Sequence, residues 1–173
     1  HAVYDKWVKE MTCPMLGANI TNTATAQPYY KPYIVFKRGG VKIAVIGLIT
    51  PGVPSWLSET LWSGMHFEDA IESARKWMDI VKKNERPDII VGLFHTGIHD
   101  RSKTNGNLND ATLEIARRVP GFDVIFYGHD HATHYEEVKS SDGSTTIIVN
   151  PANNAMNVAD AEFVVDKKSK KLS

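Results

Sequence analysis

Residues 121–131 read Gly-Phe-Asp-Val-Ile-Phe-Tyr-Gly-His-Asp-His, a short apolar run that stops at Gly128 and then presents His129 and His131 with one residue between them. Residues 88–97, Asp-Ile-Ile-Val-Gly-Leu-Phe-His-Thr-Gly, follow the same plan and end in His95. Both runs are short and apolar almost throughout, as expected of strands covered on both faces. In sheets fed by crossover helices, ligands collect beyond the carboxyl ends of the strands. If the two strands are neighbours, the imidazoles of His95, His129 and His131 converge there. Neutral imidazole binds zinc, manganese, iron or nickel, and two strand ends carrying three of them form a metal-site pattern. Gly128 lets the backbone turn sharply after its strand and aims the next side chains into the cleft. Asp130 has two readings, an acceptor that orients a ring or a solvent-facing residue.

The other histidines carry weaker signals. A lone histidine after a strand is more often a hydrogen-bonded structural residue than a ligand, and His66 and His134 are read that way. His99 shares a loop with His95 and is a minor candidate. Arg101 and Lys103 in the same loop could meet a phosphate, but polar loops carry such residues routinely.

Moving outward, residues 108–119 carry Leu108, Ala111, Ile115, Ala116 and Val119 at helical spacing, with Asp110 early and Arg117-Arg118 late, which suits the helix dipole. Upstream, Phe67, Ala70, Ile71, Ala74, Trp77, Met78 and Val81 mark a second helix ending in Lys82-Lys83. The run 41–49 is apolar enough for a central strand, and Gly39-Gly40 joins it to 33–38 as a two-residue hairpin. Between 51 and 64 lies an irregular connection with two prolines and two tryptophans, expected near a functional edge. Residues 15–20 read as a short strand and 2–11 as an amphipathic helix. After His131 only strands are predicted, at 134–138, 145–150 and 158–165, followed by a solvated basic tail. The whole is an α/β chain with mixed β-sheets, helices covering one side, and more than one sheet.

With 173 residues, 42% of them apolar, and a formal charge of zero, the chain suits one globular domain with a core and has no global field for nucleic acid or anionic membranes. No nucleic-acid polymer is expected as a partner. No run is long and apolar enough for a transmembrane helix. The single cysteine, Cys13, forms no internal disulfide.

His95-Thr96-Gly97 after one strand, followed a loop and a helix later by Gly128-His129-Asp130-His131 after another, resembles the distal half of the calcineurin-like metallophosphoesterases. Leu16-Gly17-Ala18-Asn19-Ile20 and Gly47-Leu48-Ile49-Thr50-Pro51, in that order, narrow the resemblance to the bacterial 5′-nucleotidase and 2′,3′-cyclic-nucleotide 2′-phosphodiesterase group. It runs from about Tyr4 to about Val165. The resemblance implies the distal part of an α/β/β/α sandwich and a hydrolase acting on nucleotide or cyclic-nucleotide phosphate esters. It further implies two divalent ions (manganese, zinc, iron or similar), with His95 and His129 as ligands of one and His131 of the other, and an exported, periplasmic or cell-surface parent protein.

Three motifs of that group have no counterpart. No aspartate precedes a histidine by two positions, no glycine directly precedes an aspartate, and the one Gly-Asn, Gly106-Asn107, is followed by leucine. His1 is followed by Ala2 rather than an acid and does not supply the catalytic histidine. Residues 1–173 are therefore expected to be a partial catalytic domain, lacking its first strands, its bridging carboxylate and its catalytic residues, and inactive alone. An exposed sheet edge is expected to favour self-association. Two other readings stand beside this one: a non-catalytic domain that binds a metal or a partner, and a shortened paralogue completed by another chain.

Overall fold

The computed structural model describes residues 2–166. Helix α1 spans Ala2–Glu10, and strand β1, Ile20–Asn22, follows a loop. Strands β2 (Tyr33–Arg38) and β3 (Val41–Ile49) form the expected hairpin, with Gly39 at φ +56° and Gly40 at +86° in the turn. The short helix α2 (Val53–Trp56), strand β4 (Met65–Phe67), helix α3 (Ala70–Glu85) and strand β5 (Ile89–His95) come next. A small hairpin of β6 (Lys103–Thr104) and β7 (Asn107–Leu108) leads to helix α4 (Thr112–Arg118) and strand β8 (Val124–Tyr127). Strands β9 (Thr133–Lys139) and β10 (Thr145–Pro151) complete the set.

Six strands form one mixed sheet in the order β2-β3-β5-β8-β10-β9, while β1 pairs with β4 and β6 with β7 in two small sheets. The central pairs β3–β5, β5–β8 and β8–β10 are parallel. The two histidine-bearing runs thus end side by side, because β5 and β8 are neighbours with Phe94 opposite Tyr127.

Pleating divides the sheet's side chains between two faces. One face carries Ala44, Ile46, Leu48, Ile90, Phe94, Ile125 and Ile148 and forms a single buried core with α3 and α4. Helix α3 contributes Ala70, Ile71, Ala74, Met78 and Val81, which recur at its inward spacing, and α4 contributes Ile115 and Ala116. The opposite face carries Val45, Val91, Leu93, Phe126, Ile147 and Val149. It is far less covered: Leu93 is 54% exposed.

Four expectations need correction. Phe67 belongs to β4, where it pairs with Ile20 and joins a second small core, and α3 starts three residues later behind Asp69. Leu108 is the end of β7 rather than the start of α4. The strand expected over 15–20 is reduced to an isolated bridge between Leu16 and Lys31, with β1 starting at Ile20. Residues 158–165 form no extended strand: Val158 is 91% exposed, and a single bridge residue, Val165, is all that the expected strand retains. The basic tail over 167–173, His1 and the side chain of Val3 lie outside what is described.

Candidate functional site

Pairing between β5 and β8 continues one step beyond Tyr127, because the Gly128 amide donates to the Phe94 carbonyl at 3.1 Å. Gly128 is thereby laid beside His95, where a Cβ would sit 3.9 Å from His95 Nδ1. The chain then reverses through two histidines in the left-handed region, His129 at φ +101° and His131 at +56°. Non-glycine residues avoid that region, and strain of this kind gathers at functional sites when the surroundings enforce it. The reversal sets the His129 ring edge-on to His95, with centroids 5.2 Å apart and planes at 70°. Burial first, then the charges of His129 and His131, hold the His95 imidazole below its ordinary pKa. On the far side of His129 lies the Trp56 ring, 5.3 Å away at 31°, placing the 51–64 connection at the edge where it was expected. Gly52 leaves room for that indole: a Cβ there would lie 2.4 Å from Trp56 Cη2.

Beneath the rings are two carboxylates, Asp110 and Asp130. Asp110, 4% exposed, accepts the amides of Gly97 at 2.8 Å, His99 at 3.1 Å and Asp100 at 2.6 Å. Asp130 accepts the amide of Ile98 at 3.0 Å. Four successive amides, 97 to 100, are thus shared between them. Neither reading of Asp130 named the partner it has, the backbone amide of Ile98. Burial and then the adjoining Asp110 carboxylate push its pKa up, against the pull of the Ile98 amide. Asp110 also lies 3.9 Å, through Oδ1, from Nε2 of His129. Its place near a helix start had suggested only a dipole role, and the sequence gives no sign of the amides it gathers.

Thr96 completes the wiring of this loop. Its hydroxyl donates to the Asn109 carbonyl at 2.9 Å and accepts the Ala111 amide at 2.8 Å, and its carbonyl accepts the Thr112 hydroxyl at 2.5 Å. The minor candidates stand elsewhere. Arg101 pairs with Glu114 at 3.5 Å, Lys103 is exposed on β6, and His66 is exposed on β4. His134 pairs with Glu136 at 3.3 Å. His99 turns its amide inward while its residue as a whole is exposed.

Along one flank of His95 runs an apolar cleft of about 470 Å³, lined by Leu16, Ile49, Leu57, Leu61, Trp62 and Leu93 among others. As a ligand set the corner is partial. His95 and His129 offer two imidazoles at one place, and imidazole nitrogen is a donor that fits a divalent transition ion. Among the described residues no three His, Cys, Asp or Glu side chains come close enough together to hold an ion, so His131 is not gathered with the other two.

Searched against family models, the chain matches none. It is 35% identical over 127 residues to protein UshA of Yersinia enterocolitica, covering 72% of this chain and 22% of that protein. It is 29% identical over 133 residues to a 2′,3′-cyclic-nucleotide 2′-phosphodiesterase/3′-nucleotidase of Haemophilus influenzae, covering 72% and 20%. The calcineurin-like phosphoesterase YfkN of Bacillus subtilis shares its fold, with a TM-score of 0.70 and 24% identity over 86% of this chain and 49% of that one. The chain spans about a fifth of the length of the curated relatives it matches. In sequence the chain is a homologue of the UshA, 5′-nucleotidase and 2′,3′-cyclic-nucleotide 2′-phosphodiesterase group, and its fold is that of a calcineurin-like phosphoesterase.

Proposed function

We propose that residues 1–173 are the distal part of the catalytic domain of an exported enzyme that hydrolyses phosphate esters of nucleotides, as a 2′,3′-cyclic-nucleotide 2′-phosphodiesterase or a 5′-nucleotidase. The observation that carries this reading is the edge-on contact of His95 and His129 at the carboxyl ends of two parallel neighbours. The relatives' names support the substrate class. Their greater length supports placing the remaining motifs in chain that these residues do not include.

His95 and His129 are assigned to one divalent ion, and His131 to a second. Such ions polarise phosphoryl oxygens and lower the pKa of water. The chain's own contribution is orientation. The His95 pKa is held below its ordinary value, the amides of 97–100 are tied down, and Trp56 packs against His129. Imidazoles alone leave the ions' charge without a carboxylate, so this chain by itself is assigned no turnover.

A second reading is a non-catalytic domain that binds a metal or a partner, and the apolar cleft beside His95, with Leu93 54% exposed, is the observation that favours its partner-binding form. Hydrolysis of bis(p-nitrophenyl) phosphate with added manganese separates the two. It is measured on this chain and on a form extended upstream through the three missing motifs, each with and without chelator. Chelator-sensitive turnover confined to the extended form is the expected result. Turnover by this chain alone would overturn the assignment of missing ligands, and silence from both would favour the binding domain.

A further inference from the structure

The histidine corner has a foundation that no motif describes. Asp110 and Asp130 reach it from different elements, the approach to α4 and the turn after β8, and meet beneath the loop that follows β5. Between them they accept the amides of Gly97, Ile98, His99 and Asp100. They are close enough to leave no room for a side chain at residue 97, where a Cβ would lie 1.7 Å from Asp130 Oδ1 and 2.7 Å from Asp110 Oδ2. Gly97 is required here by contact, not by backbone angle. Asp130 is also the residue between His129 and His131, both in left-handed conformations that an unanchored turn would not hold.

We propose that the Asp110–Asp130 pair is the positioning device of the site: it clamps the β5 and β8 loops to one another and so sets the His95 and His129 rings in register. Asp110 does this through backbone and through its approach, at 3.9 Å, to Nε2 of His129. Carboxylates placed behind histidines in this way orient the ring, and their loss typically weakens metal affinity about 10- to 100-fold. The two members have unequal demands. Asp110 uses both oxygens to accept three amides, so an asparagine in its place turns a donor toward donors. Asp130 accepts one amide through Oδ2 while Oδ1 faces Asp110. An asparagine there keeps the Ile98 bond and donates to Asp110.

This inference rests on the phosphoesterase reading only for the use of the corner, and its test separates the two. Nuclear magnetic resonance of this chain, free of metal, reads two things: the ring-to-ring Overhauser contact between His95 and His129, and exchange protection of the amides of 97–100. Zinc alone is then titrated against the ring nitrogens. Asp110→Asn and Asp130→Ala are expected to lose the ring contact and the local protection while the amides of β3 stay protected, and to weaken zinc binding at least about tenfold. Asp130→Asn is expected to retain all three, within about twofold for zinc. A ring contact that survives Asp110→Asn, or that is lost equally in Asp130→Asn, overturns the clamp, as does general loss of protection in β3. Loss of the contact in Asp110→Asn but not in Asp130→Asn, with no zinc response in the parent chain, upholds the clamp and removes the metal reading instead.

Discussion

At the scale of the residue, Asn19 shows how much structure one side chain can hold. Strand β2 leaves the edge of β3 at Tyr33, opposite Ile46, and the outward-facing amide and carbonyl of Ile49 are left without a strand. Asn19, 0% exposed, takes its place: Nδ2 donates to the Ile49 carbonyl at 2.7 Å and to the Glu68 carbonyl at 3.3 Å, and Oδ1 accepts the Ile49 amide at 3.0 Å. A side-chain amide carries a donor and an acceptor in the same geometry as a peptide, so it continues the ladder and ties β3 to the approach of α3. Alanine at 19 leaves those backbone groups buried and unpaired, at a cost of about 2 kcal/mol or more, read from the urea unfolding midpoint. A loss under about 0.5 kcal/mol would mean that water reaches Ile49 and that the clamp is idle. The sequence marked Asn19 only as part of a resemblance. The meeting of His95 and His129 was legible because each ends an apolar run and the two runs are neighbouring strands. Asp110 was not, because its partners are backbone amides, and those are set by a fold that no local pattern spells out.

At the scale of the element, periodicity and capping compete. The helical spacing of apolar residues runs back from α3 to Phe67, but the helix begins behind Asp69, whose carboxylate accepts the Glu72 amide at 2.8 Å. Asp-x-x-Glu is a capping signature, and it lay in the sequence two residues beyond the periodic start. Phe67 was claimed by a different demand, the second small core with Ile20 and Met65. At 158–165 alternation alone suggested a strand, yet alternation specifies a strand only when a sheet edge is free to receive it. Among the described residues the outer side of β9 stays unpaired, and Glu136, Glu137 and Lys139 make it a charged edge of the kind that discourages a further strand. The two ends of α3 make a paired prediction. Asp69→Ala removes the cap and lowers stability by about 1 kcal/mol. Arg86, the C-cap, sits at φ +48° and ψ +57°, so Arg86→Gly relieves left-handed strain and, after the added freedom of the unfolded chain, raises stability by a few tenths of a kcal/mol. Thermal melts of both variants read the difference; equal losses would show that the Arg86 side chain, rather than its backbone angle, matters.

At the scale of the whole molecule, two deficits coincide. The sheet is buried by helices on one face, while the other presents Val45, Val91, Leu93, Phe126, Ile147 and Val149, and His95 stands on that same face at its carboxyl edge, opposite Ile49. Among the described residues the histidine corner gathers no third ligand group, and it lies on the less covered face of the sheet. One additional layer of chain would meet both needs, which ties the sandwich implied by the resemblance to the partial ligand set. Exposed apolar surface can mark an interaction site or an aggregation risk, so this face, more than the charged β9 edge, is where the expected self-association is to be tested. Leu93, 54% exposed at the centre of the face, is the residue on which to test this. In this chain Leu93→Glu is expected to abolish most binding of a hydrophobic dye and to reduce association in sedimentation, with stability changed by less than about 0.5 kcal/mol, since an exposed leucine contributes little. In a form extended upstream, the same substitution places a charge beneath the added layer and costs about 1.5–3 kcal/mol or more, the value of a buried leucine before the penalty for the charge. A small effect in both forms would show that the face remains in water whatever precedes it. The missing ligands would then have to approach His95 from the side of Trp56 instead.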